Sequence, residues 1–418
     1  MEKIYVYADF DFLEQTEEIG VLSYERVRGN DHFAFEFSRE WLSRHGGMIL
    51  SGDVMNVKGT QHPRQGNSVF GFVKDSFPDR WGRILLNRRE RLAAQQEQRP
   101  VRNLSNYDYL VGIEDLTRMG GIRYSTEKKG TFINSNSRYC VPPLENLRAL
   151  CDACQNIESA EERNELPEQR WLDQLVDPGS SLGGARPKAN VMDTDGRFYV
   201  AKFPSKKDLE DTELIEHFSH TLACKAGINV ADTRIIPISK GSHLLLSERF
   251  DRTPEGKRRH FASAMSLLGL DDGSGASTGN GYLDMVDFIV RNCTDVQQNL
   301  HELYRRVAFN VLFGNTDDHF RNHGFILTPK GWTLSPAYDI NPSTKTHQCL
   351  LINEKTELSD INALRDSCES YMLGRKDASD IIDEVTSVIR DWQKVATENQ
   401  IPVRMLEQYQ DRWTNPIS

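Results

Sequence analysis

Gly314-Asn-Thr-Asp317-Asp318-His-Phe-Arg-Asn322-His323, followed one strand-turn-strand later by Leu334-Ser-Pro-Ala-Tyr-Asp339, is the stretch on which the reading of this chain turns. An Asp, four residues, an Asn and then a second Asp one hairpin downstream is the polar layout of a phosphoryl-transfer site. Moving a γ-phosphoryl group asks for positioned charge more than for covalent chemistry. In that layout Asp317 accepts the proton of the attacking hydroxyl, while Asn322 and Asp339 offer hard oxygen ligands to Mg²⁺ on the nucleotide phosphates. The flanking pattern predicts a loop for the first two groups. An apolar helical run (Val307, Val311, Leu312) ends at Gly314-Asn315, and Phe325-Ile-Leu327 reads as a strand. Thr328-Pro-Lys-Gly331 makes the turn, Trp332-Thr-Leu334 returns, and Pro336 stops the strand before Asp339. Asp318, taken alone, reads as turn chemistry.

The other half of a nucleotide site is expected upstream. Ser180-Ser181-Leu-Gly183-Gly184-Ala185-Arg-Pro-Lys188 reads as a glycine loop feeding a hairpin, with Asp195-Gly196 at its tip and Lys202 on the return strand. Gly183 and Gly184 let the backbone approach a polyphosphate with its N–H groups turned inward. Lys202 would neutralise the α/β-phosphates and be held by Glu213 or Glu216, on a helix marked by Leu214, Phe218, Leu222 and Ala223. A Gly-Gly turn alone says little; the order of glycine loop, lysine, acidic helix, Asp-x4-Asn and Asp carries the reading.

These segments resemble the HipA-type serine/threonine kinases, the toxins of bacterial toxin–antitoxin pairs. Ser181-Leu-Gly-Gly-Ala-Arg-Pro-Lys188 is similar to that family's Ser-x-x-Gly-Ala-x-x-Lys loop, and Leu246-Ser-Glu-Arg-Phe-Asp-Arg252 to its Glu-Arg-Phe-Asp-Arg segment. Asn315-Thr-Asp-Asp-His319 with Asn322 resembles its Thr-Asp-x-His-x-x-Asn catalytic loop, and Phe77-Pro-Asp-Arg-Trp-Gly82 a Leu-Pro-Asp-x-Trp-Gly element. Phe77 stands where Leu is common, and Arg186-Pro187 replaces a Gln-Glu pair of some members, with Pro187 fixing one φ angle. The resemblance implies an ATP- and Mg²⁺-dependent protein kinase. ATP would lie against Ser181, Gly183, Gly184, Ala185, Lys188 and Lys202, with Glu248 and Phe250 beside the adenine and Asn322 and Asp339 as metal ligands. It further implies autophosphorylation at Ser181, with Ser180 as a second acceptor, that switches the enzyme off. The implied partners are a small HipB-like helix-turn-helix antitoxin, DNA only through that antitoxin, and a protein substrate of the aminoacyl-tRNA synthetase kind.

Composition agrees with a soluble enzyme: 418 residues, 38% hydrophobic and 27% charged, are enough for a large core. No run approaches the roughly 18 apolar residues of a membrane span and the amino terminus lacks a signal-peptide core, so a cytoplasmic chain is expected. A net charge of −10 argues against a chain that coats nucleic acid by itself. Arg80, Arg83, Arg88, Arg89 and Arg91, interleaved with Leu85, Leu86 and Leu92, predict an amphipathic helix with a basic face, a solvated one in the plain reading and a contact for an antitoxin or the DNA bound by it in the sharper one. Seven scattered cysteines make no disulfide framework, and Cys151-x-x-Cys154 lies on a helical apolar stripe that predicts buried thiols.

The expected fold is α+β: a two-lobed protein-kinase-like fold with an extra N-terminal β-rich subdomain and a mostly helical C-terminal lobe. The expected divisions are residues 1–125 for the N-terminal subdomain, 126–252 for the lobe with the glycine loop and 253–418 for the helical lobe. Asp271-Asp-Gly-Ser-Gly-Ala-Ser-Thr-Gly-Asn-Gly281 reads as a mobile surface loop, with a substrate-gating segment as the alternative. Two further readings stand beside the protein kinase: a small-molecule kinase with the same Asp/Asn/Asp layout, and a catalytically silent binding protein.

Overall fold

Apolar and polar residues alternate along Glu2–Ala8 (β1), Glu17–Val27 (β2) and Asn30–Phe37 (β3), and in the computed structural model these strands pair as an antiparallel meander. Ile122–Ser125 (β4) adds to the free edge of β1, giving the order β3-β2-β1-β4. Phe33, Phe35 and Phe37 project from β3 into an aromatic core with Phe70 and Phe72. The structure describes residues 1–64, 67–78, 80–135, 141–179, 184, 186–239 and 241–415. They form two compact units, Met1–Leu209 with Ile235–Phe261, and Glu210–Arg234 with Ala262–Ser418.

The first unit holds a second antiparallel sheet, order β5-β6-β8-β7, from Lys188–Met192 (β5), Phe198–Lys202 (β6), Thr233–Ser239 (β7) and Ser242–Glu248 (β8). Because side chains alternate across a sheet, Ala189, Val191, Tyr199 and Ala201 share one face. They pack in a single core with Trp81, Leu85 and Leu86 of the Arg80–Gln96 helix, Leu150, Cys151 and Cys154 of Leu147–Glu162, and Leu172 and Leu175 of Gln169–Gly179. The two thiols are therefore core atoms, as the helical stripe predicts, and burial raises the Cys154 thiol well above its ordinary value. The basic face of the Arg80–Gln96 helix is smaller than expected. Arg80, Arg89 and Arg91 are exposed, but Arg88 is buried and its guanidinium is bound to Glu161. An arginine stem is long and apolar enough to enter a core when a carboxylate meets its head.

The second unit is mostly helical. Val296–Phe313 is its central helix, packed against Tyr282–Asn292 and Arg375–Arg390. Phe261–Ser263 (β9), Gly324–Thr328 (β10) and Gly331–Leu334 (β11) form a small sheet in the order β11-β10-β9, with β10 and β11 the hairpin anticipated from the sequence. Trp413 closes the unit. Its ring stacks on Phe313 at 4.8 Å and its Nε1 donates to the Phe313 carbonyl at 2.7 Å, satisfying the end of the central helix. Among the described residues no helix is long and apolar enough to cross a membrane.

Candidate active site

The central helix of the second unit ends at Gly314, whose φ of +91° lies in the left-handed region open to glycine. A Cβ there would also lie 2.8 Å from the Ser343 carbonyl, so the chain leaves the helix through a position only glycine fills easily. The segment that follows is clamped along its length. Asn315 donates to Asn310 Oδ1 at 3.0 Å and accepts from Asn341 N at 3.5 Å, which ties the start of the loop to the strand-exit segment. Asn322 Nδ2 donates to the Asp317 carbonyl at 2.7 Å. Its Oδ1 is the atom left for another group. Tyr338 Oη donates to the Arg321 carbonyl at 2.7 Å, so the residue before Asp339 is bonded to the residue before Asn322.

Asp317 itself points outward, with its side chain 78% exposed. His319 Nε2 and Cys349 Sγ each stand 3.9 Å from its Oδ1. Asp339 has a φ of +58°, a left-handed conformation that Asp tolerates better than most residues but that still costs free energy. The donors offered by Asn322 and Asp339 are oxygens, the chemistry Mg²⁺ prefers, and Mg²⁺ is commonly held by one or two carboxylates with the rest supplied by phosphates and water. Among the described residues no group of three or more His, Cys, Asp or Glu side chains is placed to hold a metal ion.

Asp318 is the residue that sequence reasoning missed. Far from forming a turn at the surface, it is fully buried, accepting from Tyr282 Oη and from Cys349 N at 2.9 Å. Asn310 Nδ2 donates to Tyr282 Oη at 3.0 Å, and His323 Nε2 lies 3.2 Å from the Asp318 carbonyl. Burial pushes the Asp318 carboxyl up to about 7 and the His323 imidazole down to about 3, so both are neutral near pH 7 or on the edge of it. The network behind the loop thus joins three separate chain segments without a fixed charge beside Asp317. No local sequence signal announces it, since the partners of Asp318 stand 36 and 31 residues away.

The first unit carries the remaining candidates. Lys188 and Lys202 are direct cross-strand partners on β5 and β6, both buried, on the face opposite the Ala189/Ala201 core. Like charges in that register repel, so the pair suits an anionic neighbourhood. The loop before β5 is held at its described points. Trp81 Nε1 donates to the Lys188 carbonyl at 3.0 Å and Trp81 N to the Gly184 carbonyl at 3.3 Å, which gives the Phe77-to-Gly82 element its role. Gly184 has a φ of +89°, and Arg186 binds Asp208 through both nitrogens at 2.7 and 2.5 Å. Ser180, Ser181, Gly183 and Ala185 lie outside the described residues.

Glu248 ends β8, half-buried, 3.9 Å from Arg197, and Phe250 packs on Phe261 at 5.7 Å. Between them the Glu-Arg-Phe-Asp-Arg segment builds a buried charge cluster. Asp251 accepts from Arg249 at 2.8 and 2.7 Å, from Arg252 at 2.7 Å and from Gly120 N at 2.7 Å. Burial alone would raise the Asp251 carboxyl, but the two guanidiniums hold it well below the usual carboxylate range. Arg249 and Arg252 also donate to the carbonyls of Leu116, Thr117 and Arg118, so the segment fastens the hairpin sheet to the loop that precedes β4. In the second unit, Glu213 and Glu216 are buried on the Thr212–Lys225 helix, with Glu216 3.8 Å from His220.

Residues 180–392 match the family pattern described as HipA-like C-terminal domain, and residues 12–107 that of the HipA N-terminal domain. A serine/threonine-protein kinase toxin HipA of Shewanella oneidensis is 26% identical over 190 residues, covering 39% of this chain and 43% of that protein. A putative kinase of Haemophilus influenzae is 25% identical over 197 residues, 42% of this chain and 57% of that protein. The matched region thus spans about half the length of these curated relatives. A solved complex of Shewanella oneidensis MR-1 HipA with HipB and operator DNA has a chain that superposes with a TM-score of 0.64 at 18% identity, over 99% of this chain and 96% of that one. That likeness is one of fold, and it agrees with the α+β, kinase-like architecture with a β-rich amino-terminal region. With one family pattern spanning 180–392 and a second over 12–107, the chain belongs to the HipA family.

Proposed function

We propose that this chain is an ATP- and Mg²⁺-dependent serine/threonine protein kinase of the HipA toxin type. The observation that carries the reading is the clamped loop. Asn322 is bonded to the Asp317 carbonyl, Tyr338 to the Arg321 carbonyl, and Asp317 is left exposed, which keeps one base and two oxygen ligands on a single rigid support. Asp317 takes the proton of the acceptor hydroxyl as that oxygen attacks the γ-phosphorus. Asn322 Oδ1 and the Asp339 carboxylate are the atoms that would hold Mg²⁺, which when bound neutralises phosphate charge. Lys188 and Lys202 supply positive charge for the nucleotide phosphates, with Glu213 or Glu216 as the carboxylate partner of Lys202. Gly183, Gly184 and Ala185 offer backbone N–H groups to them, and Glu248 and Phe250 border the adenine.

Phosphate on Ser181, or on Ser180, would place a dianion in the loop that must hold the nucleotide, and self-inhibition follows from that repulsion. The same reading assigns a HipB-like helix-turn-helix antitoxin as partner, with DNA reached through it, an aminoacyl-tRNA synthetase as the class of protein substrate, and the cytoplasm as the site of action. The test is incubation of the full chain with γ-labelled ATP and Mg²⁺ followed by phosphopeptide mapping. Label on Ser180 or Ser181 is expected; no label on this chain or on any added protein would overturn the reading.

A further inference from the structure

Arg412, on the short Gln410–Thr414 helix of the second unit, is a half-buried guanidinium with no carboxylate paired to it among the described residues. Burial lowers it below the usual arginine range, so its position carries a cost that its contacts must offset. Those contacts are two backbone carbonyls. Its Nη1 donates to the Ser343 carbonyl at 3.2 Å and to the Lys345 carbonyl at 2.9 Å, and both residues lie just past Asp339. Hydrogen bonds from a charged donor are the stronger kind, and a guanidinium that holds two carbonyls of one segment fixes where that segment runs.

The segment held in this way is bonded directly to the loop of Asp317. Ser343 N donates to the Gly314 carbonyl at 2.9 Å, and Asn341 N reaches Asn315 Oδ1 at 3.5 Å. A Cβ on Gly314 would run into the Arg412 guanidinium, so the left-handed glycine also makes room for this side chain. Trp413, the next residue, takes the other side of the same junction through its bond to the Phe313 carbonyl. Adjacent residues of one helix therefore hold the end of the central helix and the exit of the Asp339 segment. At the opposite end the two segments are joined by Tyr338 and the Arg321 carbonyl, and Asp317 and Asp339 lie between the two fastenings.

We propose that Arg412 is a positioning residue for phosphoryl transfer: by holding the Ser343 and Lys345 carbonyls it keeps the segment that carries Asp339 in register with the loop that carries Asp317 and Asn322. It acts through Ser343 and Gly314 and not by contact with the reacting atoms. The inference rests on the reading of Asp317 as the base and of Asn322 and Asp339 as the residues that hold Mg²⁺. Without the guanidinium the two carbonyls turn to water, and the Asp339 segment gains freedom at its far end. The spacing of the ligand oxygens is then no longer held, and small displacements of positioned groups are costly to such chemistry.

The experiment compares the full chain with Arg412→Ala and Arg412→Lys in two readouts. In the metal-free proteins, amide hydrogen exchange over residues 338–346 should be about tenfold or more faster in Arg412→Ala than in the wild type, and unchanged over β1 to β3. In single-turnover transfer from ATP, the Mg²⁺ concentration for half-maximal rate should rise about tenfold in Arg412→Ala and about threefold in Arg412→Lys, whose ammonium replaces only part of the fork. Arg412→Lys keeps the charge and the stem, and it carries the same comparison if the alanine variant does not fold. About 10 mM guanidinium ion, far below the molar concentrations that unfold proteins, should return most of the lost Mg²⁺ affinity to Arg412→Ala and do nothing for the wild type. A general loss of packing would show no such recovery. A lower Tm with wild-type exchange over 338–346 and an unchanged Mg²⁺ dependence overturns the proposal and leaves the kinase reading standing. Failure of the wild type to transfer phosphate to any acceptor, itself included, overturns both.

Discussion

Tyr338 Oη and the Arg321 carbonyl, 2.7 Å apart, join the chain just before Asp339 to the chain just before Asn322. The two candidate metal ligands come from segments separated by a hairpin, so their mutual position depends on this bond and on the Asn315–Asn341 contact. Removing one neutral hydrogen bond of this kind costs about 1 kcal/mol, or roughly fivefold in an equilibrium. Tyr338→Phe should therefore keep the fold and raise the Mg²⁺ concentration needed for half-maximal transfer by about fivefold. An unchanged Mg²⁺ dependence would remove Tyr338 from the account.

Asp339 combines a left-handed backbone with a candidate ligand role. Asn shares the tolerance of Asp for that conformation and removes only the charge. Asp339→Asn should melt within a degree or two of the wild type and lose about a hundredfold or more in transfer rate, the loss being largest at low Mg²⁺. Asp339→Ala should in addition be less stable by about 1 kcal/mol, because its Cβ pays no local hydrogen bond against the strained angle. Thermal melts and rate-against-Mg²⁺ curves for the two variants separate charge from backbone.

Asp318 gives the folded protein a pH dependence of defined sign. Its carboxyl, raised by burial to about 7, keeps a proton that the unfolded chain releases near pH 4. Between those values the folded state binds more protons at this site, so the contribution of Asp318 to stability is fullest below about pH 4 and is lost as pH rises through about 7, by a few kcal/mol at most. Asparagine imitates the neutral acid in shape and charge, with an Oδ1 that can still accept from Cys349 N. Urea midpoints of Asp318→Asn should therefore gain on the wild type as pH goes from 5 to 7.5; parallel curves would show that Asp318 does not titrate in this range.

Much of the architecture was legible because local pattern and final environment coincide. Alternation along β1 to β3, the Asp195-Gly196 turn between β5 and β6, and the thiols Cys151 and Cys154 all sit where period and turn chemistry place them. The loop around Asp317 was legible for the same reason, since Gly314 and the β10–β11 hairpin bound it on either side. What escaped depends on partners far along the chain. Arg88 counts as surface charge until Glu161 is known to meet it, 73 residues on, and Asp318 counts as a turn residue until Tyr282 is found behind it. Gly275 and Gly281 look like flexibility, but each is small because a backbone carbonyl, of Cys349 or Leu351, presses against it.

Asp251 is the one carboxylate between Arg249 and Arg252, all three almost wholly buried. Breaking a buried ion cluster by removing its anion typically costs about 3–5 kcal/mol. Asp251→Asn should lower Tm by roughly 10 °C, while Asp287→Asn, an exposed carboxylate paired with Arg291, should shift it by about 2 °C or less. Comparable shifts for the two variants would show that the Glu-Arg-Phe-Asp-Arg segment is not the fastening that its hydrogen bonds describe.

The proposed role of Asp317 is to receive the acceptor's proton from its place on the clamped loop. Single-turnover transfer of the γ-phosphate, wild type against Asp317→Asn at saturating Mg·ATP, tests this most directly, because neither product release nor nucleotide affinity enters the rate. A loss of about three orders of magnitude, with nucleotide binding retained, is the predicted result. Transfer by Asp317→Asn at the wild-type rate would contradict it.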